Sequence, residues 1–237
     1  MLITNKKAFN VGGLLGLSFF GVLFLIFSPI FNGKNGLVFS DDLFNKLSKG
    51  SSYFIPAVSN NAKKFVGKTF SVTIKMDKPE AVQLAVKLLS VVPGMQTEPK
   101  GGDLAIKGDL GELLAIILAD SDAMYNNTGE KIFSKYQIDE KEVMSTWWAI
   151  LSKSTKELQK QKNIDEANIV SEVNKKGIEP AFNFYKIDAQ SVADKAVTMT
   201  GLLVFYVVYT MWWGFAIFYL FDGLGLSMKK AKVKKEV

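Results

Sequence analysis

The sequence predicts an α+β domain carried between two transmembrane helices, and three observations predict it. Residues 11–30 and 196–221 are apolar runs without a charged side chain, each as long as the roughly 20 residues a helix needs to cross a bilayer. Residues 69–76 alternate, with Phe70, Val72, Ile74 and Met76 apolar between Thr69, Ser71, Thr73 and Lys75, the period of a half-buried strand. Asp77-x-x-Glu80, Asp109-x-x-Glu112 and Asp139-x-x-Glu142 repeat a helix-start pattern, in which Asp accepts from the first-turn amides and Glu reaches back.

The elements follow in order. Residues 1–10 form a short tail and 11–31 the first span. Ser28-Pro29-Ile30-Phe31-Asn32-Gly33 carries no small-x-small cleavage site, so the span reads as an uncleaved signal anchor. Residues 32–67 form a connector, with a short helix expected over 41–47 capped by Ser40. Pro56 and Asn60-Asn61 argue against one regular element over 53–67. The core domain is expected at 68–138. Its strand 69–76 leads into a helix over 77–92 that Pro93-Gly94 stops. A hairpin of 95–98 and 103–107 turns at Pro99-Lys100-Gly101-Gly102, and a helix runs from Asp109 to Asn126-Asn127. A weak fourth strand is expected over 131–138. The resulting β-α-β-β-α(-β) order is that of a ferredoxin-like core. Residues 139–195 read as a helical arm: one helix to about 162, then a second over 165–176 closed by Gly177. A last helix, capped by Asp188 or Ser191, is expected to run unbroken into the second span at 196–221. Residues 222–237 form a basic tail.

Composition narrows the chemistry. The chain has no cysteine and no histidine, so disulfides, thiolate nucleophiles, zinc–sulfur sites and histidine ligation are excluded within it. No cofactor and no metal site is expected. All 29 basic residues are lysine, which removes the bidentate fork of arginine; a lysine bias of this kind is read as genome composition. The interval 32–195 holds 22 lysines and 21 acids, so the net charge of +6 resides mainly in the tails. A nucleic-acid partner is not expected, because the excess charge lies off the domain.

Charge also orients the chain. Lys6 and Lys7 precede the first span, and Lys229, Lys230, Lys232, Lys234 and Lys235 follow the second. Lysine beside a span marks the cytoplasmic side, so both termini are expected inside a bacterial cytoplasmic membrane and residues 32–195 outside it, in the periplasm. The five tail lysines are expected to touch anionic lipid headgroups.

The spans differ from each other. Gly12, Gly13 and Gly16 notch the first, and nine aromatics crowd the second. Tyr209, Trp212, Trp213 and Gly214 are expected to pack into the glycine groove of the first span or of a partner helix, so Gly16→Leu is expected to weaken that packing. A quinone or lipid tail among these aromatics is a lesser reading. Neither span holds an ionisable group of the kind that marks an ion path. Trp147-Trp148 is a second conspicuous pair. Adjacent helical residues point about 100° apart, so one belongs to the core and the other is a candidate partner interface.

The remaining motifs fail. Gly67-Lys68-Thr69 lacks the upstream glycine of a phosphate-binding loop, whose position holds Ala62. Asp120-Ser121-Asp122 opens like a calcium loop, but Met124, Tyr125 and Lys131 occupy the later ligand slots, so a solvated helix end is expected. Asn126-Asn127-Thr128 is a bare glycosylation sequon. Ser152-Lys153-Ser154 reads as a solvated helix face. The sequence thus points to a non-catalytic two-span subunit that anchors or stabilises a larger membrane complex, respiratory or transport-related, with the bilayer and other integral subunits as partners. A ligand-sensing or substrate-presenting module is the first alternative, and a Ser–Lys membrane hydrolase the second.

Overall fold

A computed structural model describes residues 3–226. The chain divides into two compact units, Met1–Phe44 with Gln190–Val237, and Asn45–Ala189.

The first unit is built on two helices, α1 (Lys6–Phe27) and α10 (Ala196–Gly223). Both are long and apolar enough to cross a membrane. Asn5 caps α1 by accepting from the Ala8 amide. After α1, Asn32 and Gly33 take left-handed backbone angles and Phe31 pairs with Lys34. This tight reversal opens α2 (Gly36–Ser51), which begins in the first unit and ends in the second. The expected cap Ser40 is instead interior to α2, where its hydroxyl donates to Gly36 O at 2.8 Å. No helix starts from Asp188 or Ser191. A 3₁₀ turn at Ala193–Lys195 leads directly into α10, without a side-chain cap.

The second unit is mixed α+β. Pro56 falls in the first turn of α3 (Ile55–Ala62), where its missing N–H has no helical partner to lose, and a separate 3₁₀ turn follows at Lys63–Phe65, so 53–67 is not one regular element. Strand β1 (Thr69–Lys75) keeps the expected alternation, burying Phe70, Val72 and Ile74. Helix α4 (Pro79–Leu89) has Lys78 rather than Asp77 as its N-cap, with no side-chain bond. Asp77 pairs with Lys153 instead, at 3.1 Å.

Strands β2 (Gln96–Lys100) and β3 (Asp103–Asp109) are joined by Gly101-Gly102. Gly101 has φ +64, as the first central residue of a two-residue type II′ turn requires. The sheet order is β1-β3-β2, and β3 is antiparallel to both neighbours. Pro99 lies on the edge strand β2, where no ladder donor is lost.

Helix α5 (Leu110–Tyr125) starts where expected: Asp109 accepts from the Glu112 amide at 3.1 Å and from Gly67 N at 2.6 Å. The fourth strand does not form. Residues 130–136 are helix α6 (Glu130–Tyr136), which buries Ile132 and Tyr136 four residues apart. That spacing suits a helix face and not a strand face. Gln137 ends α6 in the left-handed region.

Asp139 caps α7 (Glu140–Lys160), accepting from the Lys141 and Glu142 amides. Helix α8 (Ile164–Val173) is not closed by Gly177. A π turn, Asn174–Ile178, absorbs that glycine and passes into α9 (Glu179–Asn183), with Pro180 in its first turn. The helices expected as a separate arm share one core with the sheet: Trp147, Ile150 and Val173 belong to the same buried cluster as Ile74, Leu88 and Leu114.

Candidate functional site

In the first unit the site is the seam between α1 and α10. Thr4 N and Asn5 N donate to Gly223 O at 2.9 and 3.1 Å. Further along, Trp212 Nε1 donates to Leu15 O and Tyr209 OH to Phe19 O, each at 3.1 Å. Contacts that descend along α10 as they ascend along α1 define an antiparallel hairpin. Both indole and phenol find backbone carbonyls, so the part-buried polar tips of these aromatics are satisfied. Phe19 stacks on Tyr209 with ring centroids 4.2 Å apart and meets Trp213 at 4.7 Å.

The glycines are placed differently from expectation. Gly12 is the close approach: a Cβ there would lie 2.6 Å from Leu220 N and 2.9 Å from Tyr219 C. It thus faces Tyr219 and Leu220, about two turns beyond the expected level of Trp212–Gly214. Gly16 is buried yet a Cβ would meet nothing within 4 Å, and the same open space surrounds Gly13 and Gly214. Two contributors escaped the sequence reading. Ala8 extends the buried stripe to Ala8, Gly12 and Gly16, a four-residue spacing visible in hindsight. Gly223 packs against Phe9, whose backbone N would lie 2.7 Å from an added Cβ.

An apolar hollow of about 620 Å³ also lies in this unit, with Ile26, Phe31, Phe39, Leu202 and Phe205 among its walls. It sits at the opposite end of the hairpin from Gly12, away from Trp212 and Trp213. The tail lysines Lys229, Lys230, Lys232, Lys234 and Lys235 lie outside the described residues.

In the second unit, the tryptophan pair splits between core and surface. Trp147 is fully buried, and its Nε1 donates to Asp120 Oδ2 at 3.0 Å. Trp148 is 45% exposed, with Nε1 donating to Glu179 Oε1 at 3.0 Å. Asp120 is not the solvated helix end expected. It is 4% exposed and also accepts from Tyr136 OH at 2.6 Å and Lys135 Nζ at 2.9 Å. A buried carboxylate with three donors is adequately solvated by protein. Burial and the neighbouring Asp120 push the Tyr136 phenol far above its ordinary range. Ser154 likewise departs from the expected solvated face: it is buried, while Ser152 accepts from Asn174 Nδ2 at 2.7 Å.

The least anticipated feature is Lys49, near the end of α2 and 3% exposed. Its Nζ donates to Asn127 Oδ1 at 3.0 Å, Phe184 O at 3.1 Å and Ile187 O at 2.6 Å. Three acceptors match the three ammonium protons, and the Tyr125 ring lies 5.2 Å away. The Tyr125 hydroxyl donates in turn to Lys49 O. Burial pulls the Lys49 pKa below the usual lysine range, and the charge of Asp188 partly opposes the shift. Asn127 takes φ +58. It also receives Lys186 N at 2.8 Å and donates to Ile187 O at 3.0 Å. Nothing in the local sequence marks Lys49, because its partners are 78 to 138 residues distant.

No group of three or more acidic side chains arranged to hold a metal occurs among the described residues. No known protein-family pattern, curated protein or solved structure matched the chain.

Proposed function

We propose that this chain is a non-catalytic two-span subunit that anchors or stabilises a larger complex in a bacterial cytoplasmic membrane. In this reading both termini are cytoplasmic and residues 32–195 are periplasmic. The antiparallel seam supports a shared side for the termini, since residues 4–5 meet 222–223. The same reading treats the β1-β3-β2 sheet with α4 and α5 as a three-stranded variant of the ferredoxin-like arrangement, with α6 replacing the fourth strand.

The observation that carries the proposal is the surplus of aromatics on α10. Tyr209, Trp212 and Trp213 engage α1. Phe205, Tyr206, Phe215, Phe218 and Phe221 remain exposed on the hairpin. Tyr and Trp at headgroup level anchor a span, but phenylalanines along its length offer stacking area to neighbouring helices. The test is a photo-crosslinking side chain placed at Phe218, with Ala216, which is fully buried, as the control. Capture of another integral membrane chain from Phe218 and not from Ala216 is expected. Adducts with lipid alone would defeat the proposal.

A further inference from the structure

We infer that Lys49 is a tie that makes the two chain segments leading from the spans into the second unit hold or release together. One segment is the end of α2, which continues from the first span. The other is residues 184–187, which lead toward α10. Both are in the second unit, and the Lys49 ammonium touches each of them through the contacts given above. Two of its three acceptors are the main-chain carbonyls of Phe184 and Ile187. The tie therefore reads the backbone path of 184–187 and not the identity of its side chains.

Asn127 completes the arrangement. Its side-chain oxygen is shared by Lys49 Nζ and Lys186 N, and its amide nitrogen holds Ile187 O. Tyr125 holds the other side by donating to Lys49 O. The contacts form a closed set, in which each group holds both segments or holds a group that does. Withdrawing the ammonium takes one donor from each of three oxygens, which keep only Ile187 N on Phe184 O, Asn127 Nδ2 on Ile187 O and Lys186 N on Asn127 Oδ1, whereas withdrawing 184–187 leaves a buried cation with one acceptor. Intermediate positions are costly because a buried charge must stay hydrogen-bonded. The packed arrangement thus has two discrete states, tied and released, as transmitted conformational changes require. An apolar side chain of similar length would fill the same space without this all-or-none character.

The test is hydrogen exchange of the full chain in lipid nanodiscs, read at the amides of 47–51, at 185–187 and in β3. Lys49→Met keeps the bulk and removes the donors. Asn127→Gly removes the shared acceptor and tolerates the positive φ. Each variant is expected to speed exchange at least tenfold in both 47–51 and 185–187, with β3 unchanged. Asn127→Gly is informative even if Lys49→Met fails to fold, because its alteration lies outside both reporting segments. Acceleration of one segment alone, no acceleration, or equal acceleration of β3 in Asn127→Gly would overturn the tie.

Discussion

Replacing Gly12 by alanine isolates the closest approach in the seam. An added Cβ would stand 2.6 Å from Leu220 N, and backbone cannot rotate aside as a side chain can. Restoring ordinary contact at about 3.4 Å needs the helices to part locally by about 0.8 Å. The next contact along the seam, about one turn on along α1 and two along α10, is the Trp212–Leu15 bond of 3.1 Å, and the same parting would stretch it to about 3.9 Å, beyond hydrogen-bonding range. Lost interhelical bonds in membranes cost on average about 0.6 kcal/mol each. A gap of this width also forfeits about a quarter to a half of the dispersion energy of the atoms it separates. Together these give about 1–2 kcal/mol, a rise in the open hairpin of roughly 5- to 30-fold. Gly16→Ala is the matched control. It makes the same gain in helix propensity, yet its Cβ meets nothing within 4 Å. The assay is fluorine NMR of the chain labelled with 5-fluorotryptophan, whose four tryptophans give four sites. Gly12→Ala should shift and broaden the Trp212 resonance, while Gly16→Ala leaves it in place. Coincident spectra for the two variants would show that Gly12 is not the closest approach in the seam.

Three further outcomes follow from the structure. Asp120→Ala strands the donors of Trp147, Tyr136 and Lys135, so urea unfolding followed by near-ultraviolet circular dichroism should show a loss of about 3–5 kcal/mol; a loss below about 1 kcal/mol would contradict the buried network. The Tyr185 hydroxyl, 2.6 Å from Glu140, lowers the Glu140 pKa below its usual 4.5, helped by a backbone amide. The stabilisation this confers is fully present above the unfolded pKa and is lost as pH falls through the folded one. Tyr185→Phe should therefore be less stable than the parent near neutrality, with the gap closing on acidification; a gap constant from pH 7 to 3 would count against it. Single cysteines in this cysteine-free chain report topology. An impermeant maleimide applied to intact cells with a permeabilised outer membrane should label Lys100→Cys and spare Lys7→Cys, and the reverse pattern would invert the assignment.

Much of the fold was legible where one local rule acted alone. The alternation of 69–76 became β1 because one face of the sheet is buried and the other wet. Asp109 and Asp139 capped helices because each side chain reaches its own first-turn amides. Local rules gave way where tertiary packing chose between local options. Residues 131–138 carry enough apolar side chains for a strand, but the α5–α7 surface accepts Ile132 and Tyr136 as a helical pair. Gly177 has the marks of a stop signal, yet its missing Cβ is used for packing beside Leu118, 3.1 Å from where a Cβ would lie. In the seam, Tyr209 and Trp212 bond to backbone carbonyls of α1. The level at which they meet it depended on which small residue takes the closest approach, and that was Gly12 opposite Leu220. Asp120 and Lys49 were illegible for a different reason. A charge satisfied by distant donors or carbonyls has the same local sequence as a solvated one.

If the exposed aromatic face of the hairpin serves a larger assembly, as proposed above, the chain should leave the membrane with its partners. Extraction in a mild detergent, followed by native mass measurement and identification of the polypeptides present, tests it most directly. A particle well above the chain's own 26.2 kDa is expected, with at least one other integral membrane chain in fixed stoichiometry. A single 26.2 kDa chain with bound lipid and nothing else would contradict it.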